Sequence, residues 1–152
     1  MSSFYLIIIV IGLFIDVIPE NKIRSITYEG KSYKTTFDAD AKYIGKYSGN
    51  KMGYLLLNDD GTGEYLYDIF GFAPATCQQG VITFEWGFVL DDDHRIIRFE
   101  REYGFSYPII YKSTGSISFQ GCSAPVFVDY ILEYHNGDLH VSSSDDWVKM
   151  DQ

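Results

Sequence analysis

The chain has 152 residues and a formal charge of −9, from 12 Lys and Arg against 21 Asp and Glu. That length holds one domain with a real core and is too short for two. A hydrophobic content of 46% excludes a disordered chain, and the acidic balance without a basic stretch excludes nucleic acid as a partner. Solubility, or a basic protein partner, is what the charge leaves. Aromatic residues reach 17%, with 13 Tyr leading, a composition that favours strands whose rings keep one wet end.

Phe4 to Ile15 reads FYLIIIVIGLFI, without a charge. A membrane-spanning helix needs about 20 such residues, whereas a secretory h-region needs only about 7–15. Residues 1–19 are therefore expected to be a signal peptide or short hydrophobic anchor, and 20–152 the folded domain. The leader lacks the basic residues and the A-x-A site of an ordinary signal. Export implies a secreted, periplasmic or cell-surface protein, with membrane contact only through residues 4–15 if they stay attached. Cys77 and Cys122 are the only cysteines. An even count behind such a leader predicts one disulfide, closing a loop of about 45 residues and stabilising by roughly 3–4 kcal/mol. Two unpaired thiols are the alternative.

Beyond the leader the strong patterns are strands and turns. Ile23–Tyr28 and Ser32–Phe37 flank Glu29-Gly30-Lys31 as a hairpin. Residues 36–42 read as a linker or one helical turn. Tyr54–Asn58 and Glu64–Phe70 flank an Asp-Gly turn. From Val81 to Leu90, Ile82, Phe84, Trp86, Phe88 and Leu90 share one face, and Asp91-Asp92-Asp93 turns the chain. Ile97 and Phe99 are expected inside on the next run, and Pro108 predicts an edge or a strand start. Ile117–Gln120 is a short strand. Val126, Val128, Tyr130, Leu132 and Tyr134 are expected inside, opposite Asp129 and Glu133. Asn136-Gly137 turns the chain, Leu139 and Val141 return, and Trp147 closes it. No long window carries a 3.6-residue period, so little helix is expected. The pattern predicts an all-β antiparallel meander, a barrel or a sandwich, of which a barrel of 8–10 strands has the advantage of removing open edges.

Three stretches carry a resemblance: Gly45-Lys46-Tyr47, the run Tyr54 to Tyr65 with its Asp59-Asp60-Gly61-Thr62-Gly63 turn, and Ile82-Thr83-Phe84-Glu85-Trp86. Together they resemble bacterial lipocalin-like domains, small barrels of the calycin type, over roughly residues 43–149. Tyr47 stands where such domains usually have Trp. The resemblance implies a barrel with one apolar interior and brings no catalytic residues. Fold analogy alone does not give function.

The candidate sites follow. Phe84, Trp86 and Phe88, with Tyr65, Tyr67, Tyr130 and Tyr134, are expected to line one interior, either as a packed core or as an apolar pocket whose Tyr hydroxyls orient a small ligand. If Asn136-Gly137 is a two-residue turn, Glu133, His135, Asp138 and His140 share one face and form a candidate Zn²⁺, Ni²⁺ or Cu²⁺ site. Solvated outer-face chemistry is the ordinary explanation of that quartet. Asn58 to Gly63 lacks the ligand order of a calcium loop. Glu85, Glu100 and Glu102 are candidate acid/base carboxylates on strand faces where surface charges normally sit. No nucleophile, phosphate-loop or zinc-protease motif occurs, so the chain reads as a non-enzyme without a cofactor. The first expectation is an exported binding protein for a small apolar or amphipathic ligand. The second is an inhibitor- or immunity-type protein whose acidic surface meets a basic protein.

Overall fold

A computed structural model describes residues 17–49, 53–67, 80–114, 126–142 and 147–150, with backbone alone at 67, 80, 126 and 127. The expected leader up to residue 16, the Ile117–Gln120 strand and both cysteines lie outside the described residues. The described chain starts at Val17, where Ile18 is buried and its N–H donates to His94 O (2.9 Å).

The described residues form β1 (Ile23–Tyr28), β2 (Lys31–Thr36), β3 (Gly45–Ser48), β4 (Tyr54–Leu57), β5 (Thr62–Tyr67), β6 (Gly80–Val89), β7 (Phe99–Arg101), β8 (Gly104–Ser113), β9 (Val126–Tyr134), β10 (Leu139–Ser142) and β11 (Trp147–Lys149). Among the described residues helix is limited to two 3-10 turns, Glu20–Lys22 and Ala41–Tyr43. All pairings are antiparallel. Strands β3, β4, β5, β6, β8, β9, β10 and β11 pair in chain order, and β11 returns to β3 through Val148↔Ser48 and Lys149↔Tyr47. The result is a closed eight-stranded meander barrel, as the strand spacing predicts.

The other three strands hang from this ring. β7 pairs with the first residues of β8 and is exposed along its length. Phe99 is 45% exposed, contrary to the expectation that it is inside. Ile97 instead packs against the outer side of the barrel. Pro108 is interior to β8, not at an edge or a start. It falls between Ser106, the last residue paired with β7, and Ile109, the first paired with β6. A residue without an N–H is tolerated at such a break in one side of a ladder.

β1 and β2 form a hairpin around Glu29-Gly30, both at positive φ (47° and 76°), the type I′ geometry that matches strand twist. β2 pairs with the end of β6, and the hairpin covers the barrel's outer wall, where Ile26, Val89 and Ile110 are buried with Tyr28, Tyr33, Ile97 and Val128 against them. Gly87 permits the approach: a Cβ there would lie 2.9 Å from Thr35 Cβ and 3.0 Å from Thr36 O.

This outer layer overturns one expectation. On β9 the inward residues are Asp129, Ile131 and Glu133, opposite Ile109, Tyr107 and Phe105, while Val128 faces the hairpin. Tyr130, Leu132 and Tyr134 therefore also face out. With an apolar layer outside as well as inside, alternation does not tell which face of β9 is the interior.

One end of the barrel is shut. Residues 37–44 cross it, with Phe37, Ala39 and Ile44 against the core and the Tyr43 ring 5.3 Å from Phe88 and 5.5 Å from Tyr107. Arg24 fastens the same end. Its guanidinium donates to Gly61 O (2.6 Å) and Trp86 O and lies 5.0 Å from the Phe37 ring centre. Gly61 O also accepts from Trp86 N (3.0 Å), and the Trp86 indole donates to Asn58 O (3.1 Å). Gly61 has φ +78°, and a Cβ there would lie 2.5 Å from Phe37. Arg24→Met keeps the apolar stem and removes the donors. It is expected to lower unfolding stability by about 2 kcal/mol, the usual worth of charge-assisted hydrogen bonds, read by urea denaturation, and to open residues 23–36 to proteolysis before the barrel.

Candidate functional site

The inner wall is packed solid through its middle. Tyr47, Leu55, Leu57, Trp86, Phe88, Ile109, Ile131 and Val141 are each at most 1% exposed. Aromatic edges meet faces within it, with Trp86 and Phe88 centred 5.7 Å apart at 72°. Trp86 and Phe88, expected as ligand-lining residues, belong to this packed belt and its shut side.

Away from the shut end, where β5 and β8 finish and β6 and β9 begin, the wall changes. Phe84 and Tyr111 have ring centres 5.2 Å apart, and Tyr65 and Trp147 are 5.4 Å apart. Ser113 lies opposite Phe84. Asp129 enters from β9, and the Tyr111 hydroxyl donates to its Oδ2 (2.6 Å). Tyr65, Ser113 and Asp129 point inward and are half-buried, whereas Phe84, Tyr111 and Trp147 are buried at 2%, 7% and 4% exposure and belong to the same packed core as the belt. Tyr67 is on β5, with its side chain outside the described residues.

The two carboxylates inside the barrel are treated differently. Burial alone would raise the Glu133 carboxyl, but hydrogen bonds from Lys42 Nζ (2.6 Å) and the Tyr43 hydroxyl, with the Lys42 charge, hold it below the usual range. Asp129 has no such neighbour. Among the described residues no Lys, Arg or His forms an ion pair with it. Burial pushes it up to about 6, against which the Tyr111 hydrogen bond pulls only partly. The hydroxyls of Tyr111 and Tyr43 are in turn driven upward, first by burial and then by the carboxylates they face.

The expected metal quartet is not assembled. The turn after β9 has three residues, not two: Tyr134 N donates to Asp138 O (3.1 Å) and Gly137 N to Tyr134 O (2.9 Å). This places Leu139 opposite Glu133 and His140 opposite Leu132. Glu133 is then inside with Lys42, while His140 is outside, with its ring 5.2 Å from Tyr134. His135 and Asp138 are exposed in the turn. Among the described residues no three His, Cys, Asp or Glu stand close enough to hold a metal. Tyr130 and Tyr134, expected as ligand walls, are on the outer face. Asp60 serves the β4–β5 turn, accepting from Thr62 N (2.8 Å) and Oγ1 (2.6 Å). Glu85 is 4.0 Å from Arg24, and Glu100 and Glu102 are exposed.

No family model matches the chain, and neither a curated protein nor a solved structure is detectably similar to it.

Sequence reasoning missed Asp129, Tyr111, Ser113 and Trp147 as site residues. Asp129 carries a signal only once the face of β9 is known, because Phe127 and Ile131 alternate with it as apolar neighbours.

The raised Asp129 sets the sign of a pH effect. The folded state binds the proton more tightly than the unfolded chain, so this group costs stability as pH rises from about 4 to about 6, and the cost stays at higher pH. The side chain is partly wet, which discounts the magnitude. Asp129→Asn is expected to raise stability at pH 7.5 by about 1 kcal/mol. That gain should vanish by pH 4 when denaturation midpoints of variant and wild type are compared across pH.

Proposed function

We propose that this chain is a lipocalin-like, non-catalytic binding protein that holds a small amphipathic ligand at the open end of its barrel. The observation that carries this reading is Asp129: an inward, half-buried carboxylate that accepts from the Tyr111 hydroxyl and, among the described residues, has no cation beside it. It costs stability where it stands, and a group that does not serve folding is what a binding site retains. Tyr65, Ser113 and Asp129 are half-buried polar groups beside the buried rings of Phe84, Tyr111 and Trp147, a mixture of polar points and apolar floor that suits a ligand with both characters. The packed belt beneath forms the floor, which limits the site to a shallow cup and the ligand to one small head and a short tail.

Export belongs to the same proposal, with the apolar run from Phe4 to Ile15 as its support. So does a Cys77–Cys122 disulfide. The strands flanking the two cysteines in sequence, β5 and β6 for one and β8 and β9 for the other, all meet the same open end. Intact masses of alkylated protein with and without prior reduction test the bridge: an oxidised pair blocks alkylation until reductant is added.

Nile red, a neutral apolar dye, is expected to bind saturably at one site per chain with a blue shift. Ser113→Trp, which puts an indole opposite Phe84, should weaken it by roughly tenfold or more while the circular dichroism spectrum stays unchanged. Equal dye binding by both proteins would place the dye elsewhere and remove the support for the cup.

A further inference from the structure

We propose a second binding site, on the outer wall at the shut end: a cleft between the β7–β8 and β9–β10 turns that takes a neutral oligosaccharide, with a sugar ring laid on the rings of Tyr103 and Tyr134. It is separate from the open end and does not rest on a ligand there.

Both turns that shape this cleft are described in full. β7 passes to β8 through Glu102 and Tyr103, and β9 passes to β10 through residues 135–138. The His135 N–H donates to Tyr103 O (2.9 Å) and ties one turn to the other. Tyr103 and Tyr134 are thereby brought to one face and left in water, 62% and 36% exposed. Neither belongs to the barrel's core. These two rings, with His135, Asn136, Asp138 and His140, line a cleft of about 410 Å³, within the size range of small-molecule sites. A smaller hollow of about 170 Å³ shares both tyrosines and extends to Arg101, Phe105 and Leu132. A pair of rings common to two hollows suits a chain of sugars better than a single one.

Three properties select the ligand. The first is the rings. An aromatic face is the negative pole of its quadrupole, and the C–H groups on one side of a pyranose are weakly positive and apolar. The Tyr134 ring is set against His140, with centres 5.2 Å apart at 74°, so its position is fixed before a ligand arrives. The second is the polar rim. Asp138 N donates to Asn136 Oδ1 (3.2 Å), and the Asn136 amide donates back to Asp138 Oδ2. The exchange pins both side chains, and a carboxylate and an amide each have capacity for more than one hydrogen bond. Sugar hydroxyls donate and accept alike, which is what such a mixed rim can answer. The third is charge. Asp138 and Glu102, which hydrogen-bonds the Tyr103 hydroxyl, bring negative charge, and Arg101 brings positive charge. A charged head of either sign meets a like charge here, and the net charge of −9 repels anions from the outset. A neutral polyol meets neither cost. Among the described residues no three His, Cys, Asp or Glu could hold a metal ion in this place.

Heteronuclear NMR of the full chain, titrated with cellohexaose, chitohexaose, maltohexaose and mannohexaose, tests the site. At least one hexaose is expected to bind with a Kd of about 1 mM or less and to shift amides within residues 101–105 and 132–140. Tyr103→Ala should weaken that binding roughly five- to tenfold, and Tyr103→Phe should keep it within about twofold, because the ring face carries the contact. Tyr103 is exposed, so the urea midpoints of both variants should match wild type. The wild-type shift map stands alone if a variant does not fold. No shift in these amides with any hexaose up to about 10 mM, shifts confined to other residues, or unchanged binding by Tyr103→Ala would each overturn the proposal. Cleft shifts that follow protein concentration in a sugar-free dilution series would give the cleft to a second copy of the chain and overturn it as well.

Discussion

The barrel depends on a cation placed where the chain needs one. Arg24 leaves β1, passes beside the Phe37 ring and donates to the carbonyls of Gly61 and Trp86. It thereby joins four pieces that are distant in sequence: the outer hairpin, the segment crossing the shut end, the β4–β5 turn and β6. Burial disfavours the charge, and Glu85 and Asp60 nearby act against that. Two backbone carbonyls that would be left poorly solvated receive strong donors instead, so the arrangement is costly to break in either half.

The two inward carboxylates show how one barrel gives the same chemical group opposite tasks. Glu133 is held by Lys42 and Tyr43 and acts as a structural tie across the shut end. Asp129, two pleats away on the same strand and opposite Ile109, has the Tyr111 hydroxyl and, among the described residues, no cation. Position along one strand decides which carboxylate meets a cation and which meets only a hydroxyl among the described residues. The paired carboxylate is held below its usual range and the other is pushed above it by burial.

The hairpins were legible because turn chemistry and a two-residue period agree: Glu29-Gly30, Asp60-Gly61 and Asn136-Gly137 each fall in the turns that the structure contains. The face of β6 was legible because Ile82, Phe84, Trp86 and Phe88 alternate with smaller or polar residues. β9 was not, because the β1–β2 hairpin makes its outer face apolar too, and a local pattern cannot register a layer contributed by residues a hundred positions away. The metal quartet failed for a related reason. It needed the loop length to the residue, and a third loop residue moves Glu133 and His140 to opposite faces. Asp129 was hidden by the same uncertainty, since a charged residue on a strand is read as solvated until the sheet's two sides are known.

The ring is closed by a short seam. β3 and β11 meet through Val148↔Ser48 and Lys149↔Tyr47, residues separated by about a hundred positions, whereas each other junction of the ring joins strands adjacent or nearly adjacent along the chain. Local hairpins can form early, but this junction carries the greatest loop-closure entropy and cannot form until β11 exists. A growing or threading chain therefore stays an open, curled sheet, with β3 paired to β4 on one edge and bare on the other, until β11 arrives. Closure of the barrel is thus a late, all-or-none event in folding, and the seam is where a closed barrel would first come apart.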